Sequence, residues 1–353
     1  MKTTQKSTSQ KTRRVNVAVA GLGYMGVTHL RVYQKIRNAR IVAVCDANRL
    51  PENGVLRGVA GNIKSDDASL HLGAGLKTYR ELAPLLADPE VDLVDICTPT
   101  PVHPEQVIAA LNAGKHVLCE KPLARTSAGV KKILRAEEAA RGFLMPAMCM
   151  RFWTGWRELK AVIESGKYGR VLAASFRRVS QMPAWSASKT YANAGADMGG
   201  ALYDLHIHDT DFINYLFGRP QSVQSGGVVS EGGAINHVVT QYHFPGGPLV
   251  SAEGSLLHQG GFSMGFALNF ERATIESDSA RNGGAWRISE AGRPPREKTW
   301  RGPDGYDGEI RYFVDCVARG ARPAAVTAKD ALTTMQICEA EEKAVRTGAK
   351  ARL

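Results

Sequence analysis

The feature that most constrains the fold is the glycine-rich segment Gly21-Leu-Gly23-Tyr-Met-Gly26, which directly follows the apolar run Val15–Ala20. A glycine turn between a strand and a helix is typical of a dinucleotide-binding βαβ unit. In such a unit Gly21 permits the tight turn, Gly23 lets the main chain approach a pyrophosphate, and Gly26 allows close packing of helix on strand. The unpaired N–H groups at the start of the helix then face the phosphates.

An acidic residue, Asp46, follows the next predicted strand, residues 41–45. A carboxylate at this place accepts hydrogen bonds from the ribose hydroxyls and repels a 2′-phosphate, so the sequence predicts NAD in preference to NADP. Arg49 is close enough in sequence to leave the use of NADP open. Further contacts to the cofactor are expected from Tyr24 and Met25 in the glycine loop.

Short apolar runs alternate with helical periodicity over residues 15–149, which indicates a doubly wound parallel sheet of the Rossmann type. A disordered basic tail is expected over residues 1–14, and residues 47–74 form a long polar connection whose pattern allows a helix and a surface excursion. The predicted strands are 15–20, 41–45, 76–79, 92–97, 116–119 and 143–149, and the predicted helices are 24–36, 80–87, 104–113 and 126–141.

The second half of the chain, residues 150–353, predicts an α+β domain with an open, mostly antiparallel sheet. A long polar and aromatic loop is expected over residues 180–199. The predicted strands are 171–178, 223–229, 237–243, 249–256, 266–271, 272–276 and 286–288, and the predicted helices are 155–165, 201–217, 305–319 and 328–346.

Charge and composition narrow the class of protein. The net charge is +11, and five of these charges lie in residues 1–14, which leaves +6 on the rest. The chain has no stripe of basic residues interleaved with aromatics, so we expect no nucleic-acid partner. It has no apolar run long enough to span a bilayer, so we expect no membrane partner. The six cysteines are scattered without a close pair, which predicts reduced thiols and a cytoplasmic location.

Three further motifs fall where strands of a doubly wound sheet end at its ligand crevice. The first is Cys-Thr-Pro-Thr-Pro-Val-His over residues 97–103, after the fourth predicted strand. The second is Glu120-Lys121-Pro122, after the fifth. The third, in the second domain, covers residues 199–209 and includes Asp204 and His208.

Together with the glycine loop, and in the same order, these motifs resemble those of the glucose–fructose oxidoreductase/inositol dehydrogenase/rhizopine catabolism (Gfo/Idh/MocA) family. The resemblance covers nearly the whole chain from about residue 13. It implies an NAD-dependent dehydrogenase that acts on a CH–OH group of a sugar, cyclitol or sugar derivative. It also implies that residues 150–353 bind the substrate and form a homo-oligomer, a dimer or a tetramer. The implied catalytic group is Lys121, Asp204 and His208, and the implied cofactor contacts in these motifs are Thr98, Pro99, His103, Glu120 and Lys121.

The residue types fit the oxidation of an alcohol. The imidazole of His208 suits a base that takes the hydroxyl proton near neutral pH. Lys121 can donate a hydrogen bond to the reacting oxygen and stabilise its developing charge. Asp204 precedes His208 by four residues, which on an α-helix places the carboxylate on the same face, to orient the imidazole or to bind the substrate. The family typically has asparagine where this chain has Thr100, which leaves the contacts of that loop open.

The loop before the third motif supplies candidate substrate contacts. Trp185, Tyr191 and Asn193 offer aromatic faces for C–H surfaces and polar groups for hydroxyls, and Arg151 ends the last predicted strand at the domain junction. Packing or surface roles are the alternative for each. A metal site at Asp204, His206, His208 and Asp209 is not expected. Helical residues two apart point to nearly opposite sides, so Asp204, His206 and His208 cannot all converge.

Two other functions stay open from the sequence. Some relatives hold NAD tightly, oxidise a sugar transiently to allow loss of a glycosidic group, and then reduce it again. Other relatives are non-catalytic regulators that bind a dinucleotide and a sugar. Retained NAD with glycoside cleavage would indicate the first, and loss of the lysine or the histidine would favour the second.

Overall fold

The computed structural model describes residues 13–57, 69–73, 75–182 and 199–353. A six-stranded parallel sheet in the order β5-β2-β1-β6-β7-β8 organises the first half. The strand order reverses between β1 and β6, which is where ligands bind in open α/β sheets, and the predicted doubly wound sheet is confirmed. Its elements, with two short strands outside the sheet, are β1 Val15–Ala20, α1 Tyr24–Tyr33, β2 Ala39–Cys45, β3 Val55–Leu56, β4 Leu70–His71, β5 Lys77–Tyr79, α2 Leu82–Ala87, β6 Leu93–Ile96, α3 His103–Asn112, β7 His116–Glu120, α4 Ser127–Ala139 and β8 Leu144–Ala147.

The long connection over residues 47–74 contains a structure that the sequence did not predict. In its described part, β3 and β4 pair antiparallel as a separate two-stranded sheet. Each strand has two residues, too few to show the alternation that predicts a strand. Residues 58–68 and 74 lie outside the described residues.

A nine-stranded sheet organises the second half, in the order β16-β15-β14-β13-β9-β12-β11-β10-β17. All neighbouring strands pair antiparallel except β9 and β12, which confirms the predicted open, mostly antiparallel sheet. Its elements are α5 Trp156–Glu164, β9 Val171–Val179, α6 Ile207–Phe217, β10 Ser222–Val229, β11 Ile235–His243, β12 Leu249–Ser255, β13 Ser263–Phe270, β14 Ala273–Asp278, α7 Ser279–Asn282, β15 Trp286–Glu290, β16 Arg296–Lys298, α8 Gly305–Arg319, α9 Ala328–Thr347 and β17 Ala351–Arg352.

The start of the helix predicted over residues 201–217 is not α-helical. Leu202–His206 forms a π-helical turn, and the α-helix begins only at Ile207. The prediction of one continuous α-helix is therefore wrong for this turn. A single wide turn leaves no periodic signal in the sequence, and π turns occur often at functional sites.

The two C-terminal helices join both halves of the molecule. Phe313 of α8 and Met335 of α9 lie in the hydrophobic core of the parallel sheet, whereas Ile337 of α9 lies in the core of the mixed sheet. The two sheets are thus held against each other by helices from the end of the chain. Within the described residues, no helix is both long and apolar enough to cross a membrane.

Candidate active site

A cavity of about 830 Å³ lies at the carboxyl ends of β1, β6 and β7, between the two sheets. Its size is in the range of small-molecule and cofactor sites. It brings together residues from all four sequence motifs, which lie far apart in the chain. The predicted site residues that line it are Gly21, Gly23, Tyr24, Met25, Asp46, Thr98, Pro99, Glu120, Lys121, Asp204 and His208, and Thr100 lines it as well.

The glycine loop has the geometry that a pyrophosphate requires. Gly21 has φ +91°, and a Cβ there would lie 2.6 Å from the carbonyl carbon of Cys97. A Cβ on Gly26 would lie 1.8 Å from the carbonyl oxygen of Gly21, so this glycine acts through packing and does not line the cavity. Gly23 has open space where a Cβ would be, and no side chain caps the start of α1. The helix N-terminus is therefore open to an anionic group, which fits the phosphates of a dinucleotide.

Asp46 is held in place by the main chain of two loops. Its Oδ2 accepts a hydrogen bond from the N–H of Leu22 at 2.7 Å. Its Oδ1 accepts from the N–H groups of Asn48 and Arg49, at 2.9 and 2.8 Å. The guanidinium of Arg49 donates to the carbonyl of Leu22 at 2.6 Å, so its position is tied to the same loop. The carboxylate lines the cavity, where its charge and acceptors favour a ribose diol over a 2′-phosphate.

Lys121 follows the end of β7 and reaches across the cavity to the second domain. The Lys121–Pro122 peptide bond is cis. The Nζ of Lys121 donates to the Oδ1 of Asp204 at 2.8 Å and to its carbonyl oxygen at 2.7 Å. Burial opposes the charge on Lys121, but the carboxylates of Asp204 and Glu120 outweigh it and raise the pKa of the amine. Lys121 is therefore a charged donor at neutral pH.

His208, in the first turn of α6, lies in surroundings that disfavour its charged form. Burial, together with the charges of Lys121 and Arg178, lowers the pKa of the imidazole well below its usual value. The ring is therefore neutral at neutral pH. Its Nδ1 is buried and has no hydrogen-bond partner among the described residues. The carboxylate of Asp204 accepts a hydrogen bond from Lys121, and the described contacts include none between it and this imidazole. Of its two expected roles, the binding of substrate stays a prediction.

A buried arginine beside His208 was missed in the sequence. Arg178 lies on β9, forms a bidentate ion pair with Asp209 at 3.0 Å for both contacts, and lines the cavity. The signal that marks it is the alternation of buried Ala174, Phe176 and Arg178, which places the arginine on the inner face of the strand. A charge at such a position requires a partner.

Two polar residues close to His208 in the chain, His206 and Asp209, bind other buried side chains and do not line the cavity. The Nε2 of His206 contacts the Oε1 of Glu341 at 3.1 Å and the hydroxyl of Tyr242 at 3.0 Å. Asp209 binds Arg178, as described above. His206 and Asp209, which a metal site would have used, therefore have other partners.

Two predicted contacts are corrected by the structure. His103 does not line the cavity, because its ring nitrogens lie 2.9 and 2.7 Å from the carbonyl oxygens of Pro122 and Thr98 and tie these two loops together. Arg151 is buried in a bidentate pair with Asp211, at 2.8 and 2.7 Å, so it is structural. The predicted substrate contacts Trp185, Tyr191 and Asn193 lie outside the described residues.

A doubly wound sheet with an open glycine loop, an acid after β2, and a lysine and histidine in one cavity defines a dinucleotide-dependent oxidoreductase. The model of an oxidoreductase family with an NAD-binding Rossmann fold, GFO_IDH_MocA, matches residues 15–147. The model of the GFO/IDH/MocA C-terminal domain matches residues 156–276. The chain belongs to the Gfo/Idh/MocA family and is an NAD-dependent dehydrogenase.

Known relatives extend over nearly the whole chain. An inositol 2-dehydrogenase of Streptomyces avermitilis is 28% identical over 344 residues, 95% of this chain and 93% of the relative. Levoglucosan dehydrogenase, solved with NADH and levoglucosan, has a TM-score of 0.78 at 22% identity and covers 96% of this chain and 99% of its own. Aldose–aldose oxidoreductase from Caulobacter crescentus, solved with glycerol, has a TM-score of 0.79 at 22% identity and covers 97% of this chain and 100% of its own. Both solved structures share the fold.

Proposed function

We propose that the chain reversibly oxidises a secondary hydroxyl of a sugar, cyclitol or sugar derivative. The observation that carries this proposal is that a charged lysine, Lys121, and a neutral histidine, His208, line the same cavity next to the dinucleotide loop. When bound, NAD supplies the group that accepts hydride from the carbinol carbon.

Each of the three residues has one role in this proposal. Neutral His208 takes the proton of the substrate hydroxyl, which a charged imidazole could not do. Lys121 donates a hydrogen bond to the same oxygen and stabilises its developing negative charge. Asp204 keeps the amine charged and aims it, through the 2.8 Å contact to its Oδ1.

A polyhydroxylated ring is the substrate class that the relatives support. Two of these relatives, an inositol dehydrogenase and a levoglucosan dehydrogenase, are named after compounds that contain such a ring. The cavity wall also contains Trp153, Phe262 and Met264, apolar surfaces that suit the C–H faces of a ring. We propose that Trp185, Tyr191 and Asn193 complete the substrate contacts.

We further propose a cytoplasmic homo-oligomer. The six cysteines are free thiols, as expected in a reducing compartment. Val239 and Leu249, on adjacent strands of the open sheet, are 46% and 58% exposed, and a contact between copies would cover them. Light scattering on the wild type and on Leu249→Glu tests this, since a monomeric wild type would contradict it.

The test of the activity is a panel of cyclitols and aldoses with NAD, followed by the absorbance of NADH. Turnover of at least one compound is expected, and Lys121→Ala and His208→Ala should each nearly abolish it. Lys131→Ala and His71→Ala, at exposed positions on α4 and β4, are matched controls that should leave it unchanged. Full activity in both site variants would refute the assignment.

A further inference from the structure

A buried ion network lies directly behind the cavity wall. Its centre is His29, on the inner side of α1, whose side chain is fully buried. The Nδ1 of His29 lies 2.8 Å from the Oδ2 of Asp95 on β6. The Nε2 lies 3.2 Å from the Oε1 of Glu120, the last residue of β7, which is an ion-pair distance without the alignment of a hydrogen bond. One ring thus joins three elements of the parallel sheet domain.

Two carboxylates face the ring, and these neighbours favour its charged form. Burial alone would remove the charge, but the carboxylate of Asp95, in contact with Nδ1, outweighs it and raises the pKa of His29 well above its usual value. An imidazolium has a proton on each nitrogen, so each nitrogen can face a carboxylate. Burial likewise opposes the charge on Glu120, but His29 and Lys121 lower the pKa of that carboxyl.

Glu120 connects this ring to the proposed active-site lysine. Its Oε2 accepts a hydrogen bond from the main-chain N–H of Lys121 at 3.0 Å. One carboxylate oxygen therefore faces His29, and the other holds the main chain from which the Lys121 side chain extends. A side chain that reaches Asp204 with two contacts of 2.8 and 2.7 Å depends on a fixed starting point.

We propose that His29 is a positioning residue for Lys121, acting through Glu120. Since α1 also begins at the glycine loop, the same ring joins the helix that faces the cofactor phosphates to the loop that bears the lysine. This inference rests on the role proposed for Lys121. His29 itself does not line the cavity, so its effect on catalysis is indirect.

A metal site is the alternative use of the same residues. Ligand atoms of His29, Asp95 and Cys97 all lie within 4.8 Å of one another, and their nitrogen, oxygen and sulfur are donors that Zn²⁺ accepts. An imidazolium has no lone pair to give a metal, so an ion pair and a metal site exclude each other. Metal analysis of the purified protein separates the two, and about one zinc per chain would overturn the ion pair.

Crystal structures of the wild type, His29→Leu and Glu120→Gln test the positioning role without any need for turnover. The contacts of Lys121 Nζ with Asp204 should be intact in the wild type and lost or lengthened by about 1 Å or more in both variants. Glu120→Gln keeps the size of the side chain, so it preserves the test if His29→Leu does not fold. Unchanged contacts in a folded His29→Leu would refute the inference. If that variant does not fold, unchanged contacts in Glu120→Gln would refute it.

Kinetics supply the second readout. Both variants should lower kcat by about 10- to 100-fold, the cost of misplacing a catalytic group by about 1 Å. In His29→Leu, which changes no residue of the cavity wall, the Kd for NADH should stay within about twofold of that of the wild type. The double variant should be no worse than His29→Leu, because residues that act in series are not additive. Additive losses, or an unchanged kcat, would overturn the proposal.

The control is His116→Gln, which changes a histidine at the opposite end of β7, beside Phe143. It should leave kcat and the Lys121 contacts unchanged, and a loss equal to that of His29→Leu would refute a specific path. If the wild type turns over no polyol while the variants still displace Lys121, the proposed function fails and the positioning of Lys121 stands.

Discussion

Lys121 and His208 line one cavity, and their surroundings shift their pKa values in opposite directions. Burial opposes the charge on Lys121, but the carboxylate of Asp204, across the cavity, and that of Glu120, beside it on the parallel sheet, raise the pKa of the amine. On the side of the mixed sheet, burial and the charges of Lys121 and Arg178 lower the pKa of His208. A charged amine and a neutral imidazole thus lie in the same cavity.

The difference teaches that burial alone does not assign the roles. Burial disfavours the charged form of both groups. Only Lys121 has anions beside it, so only Lys121 keeps its proton. The neighbours of each group therefore decide which one donates a hydrogen bond and which one accepts a proton.

Removing Arg178 is expected to have the largest effect, because the carboxylate of Asp209 would stay buried without its cation. Both side chains are at most 4% exposed. Breaking such a pair costs about 3–5 kcal/mol of the free energy of unfolding, which denaturant titration of Arg178→Met would measure.

The neighbouring Arg177 provides the control. Its side chain is 43% exposed and pairs with the partly exposed Glu253. Arg177→Met should therefore lose only about 0–1 kcal/mol. Equal losses in the two variants would contradict the burial argument.

Removing the charge of Lys121 should bring the pKa of His208 closer to its usual value. In Lys121→Met the pKa of His208 should rise, because one of the cations that lower it is gone. Activity should fall by about 100- to 1,000-fold, and the acid limb of the remaining activity should move to higher pH, since the base must be neutral. NMR titration of isotope-labelled histidine measures the shift directly. An unchanged pKa of His208 would show that the charge of Lys121 does not act on this imidazole.

Asp204→Asn tests what holds the charge on Lys121, without changing Lys121 or His208. Loss of the carboxylate should lower the pKa of Lys121, so the alkaline limb of the pH–rate profile should move to lower pH. We expect kcat to fall by about 10- to 100-fold, which corresponds to one charge-assisted hydrogen bond. Asp315→Asn, at an exposed position of α8, should change neither quantity. A profile identical to that of the wild type would refute the role of Asp204.

Glu309 on α8 provides the most specific test. Burial and the charge of Glu120 raise the pKa of its carboxyl well above the usual value. The folded state then holds a proton that the unfolded state releases, so stability falls as pH rises from about 4.5 toward the folded pKa. Glu309→Gln removes this loss.

The stability of Glu309→Gln relative to the wild type should therefore increase by about 1.4 kcal/mol for each pH unit in that window. Thermal unfolding of both proteins at about pH 5 and about pH 7 measures the difference. Glu297→Gln, exposed on β16, should show no such trend. A constant difference between Glu309→Gln and the wild type would contradict a raised pKa.

Local sequence signals were enough to predict the cofactor half of the site. The glycine loop and Asp46 depend on one βαβ unit, so their geometry follows from neighbours in the chain. The positions of Lys121 and His208 on the cavity wall were predicted from motifs and from the family resemblance. The partners of His103 and Arg151 were not predicted, because those contacts come from loops and helices elsewhere in the chain.

The sequence by itself determined the fold class, the family and NAD as the cofactor, because glycines, an acid and apolar periodicity act locally. Only the tertiary structure decided the protonation of the site. Lys121 and Asp204 are 83 positions apart, and Arg178 and Asp209 are 31 apart. A pKa depends on charges within a few ångströms of the group, and the fold alone brings those charges together.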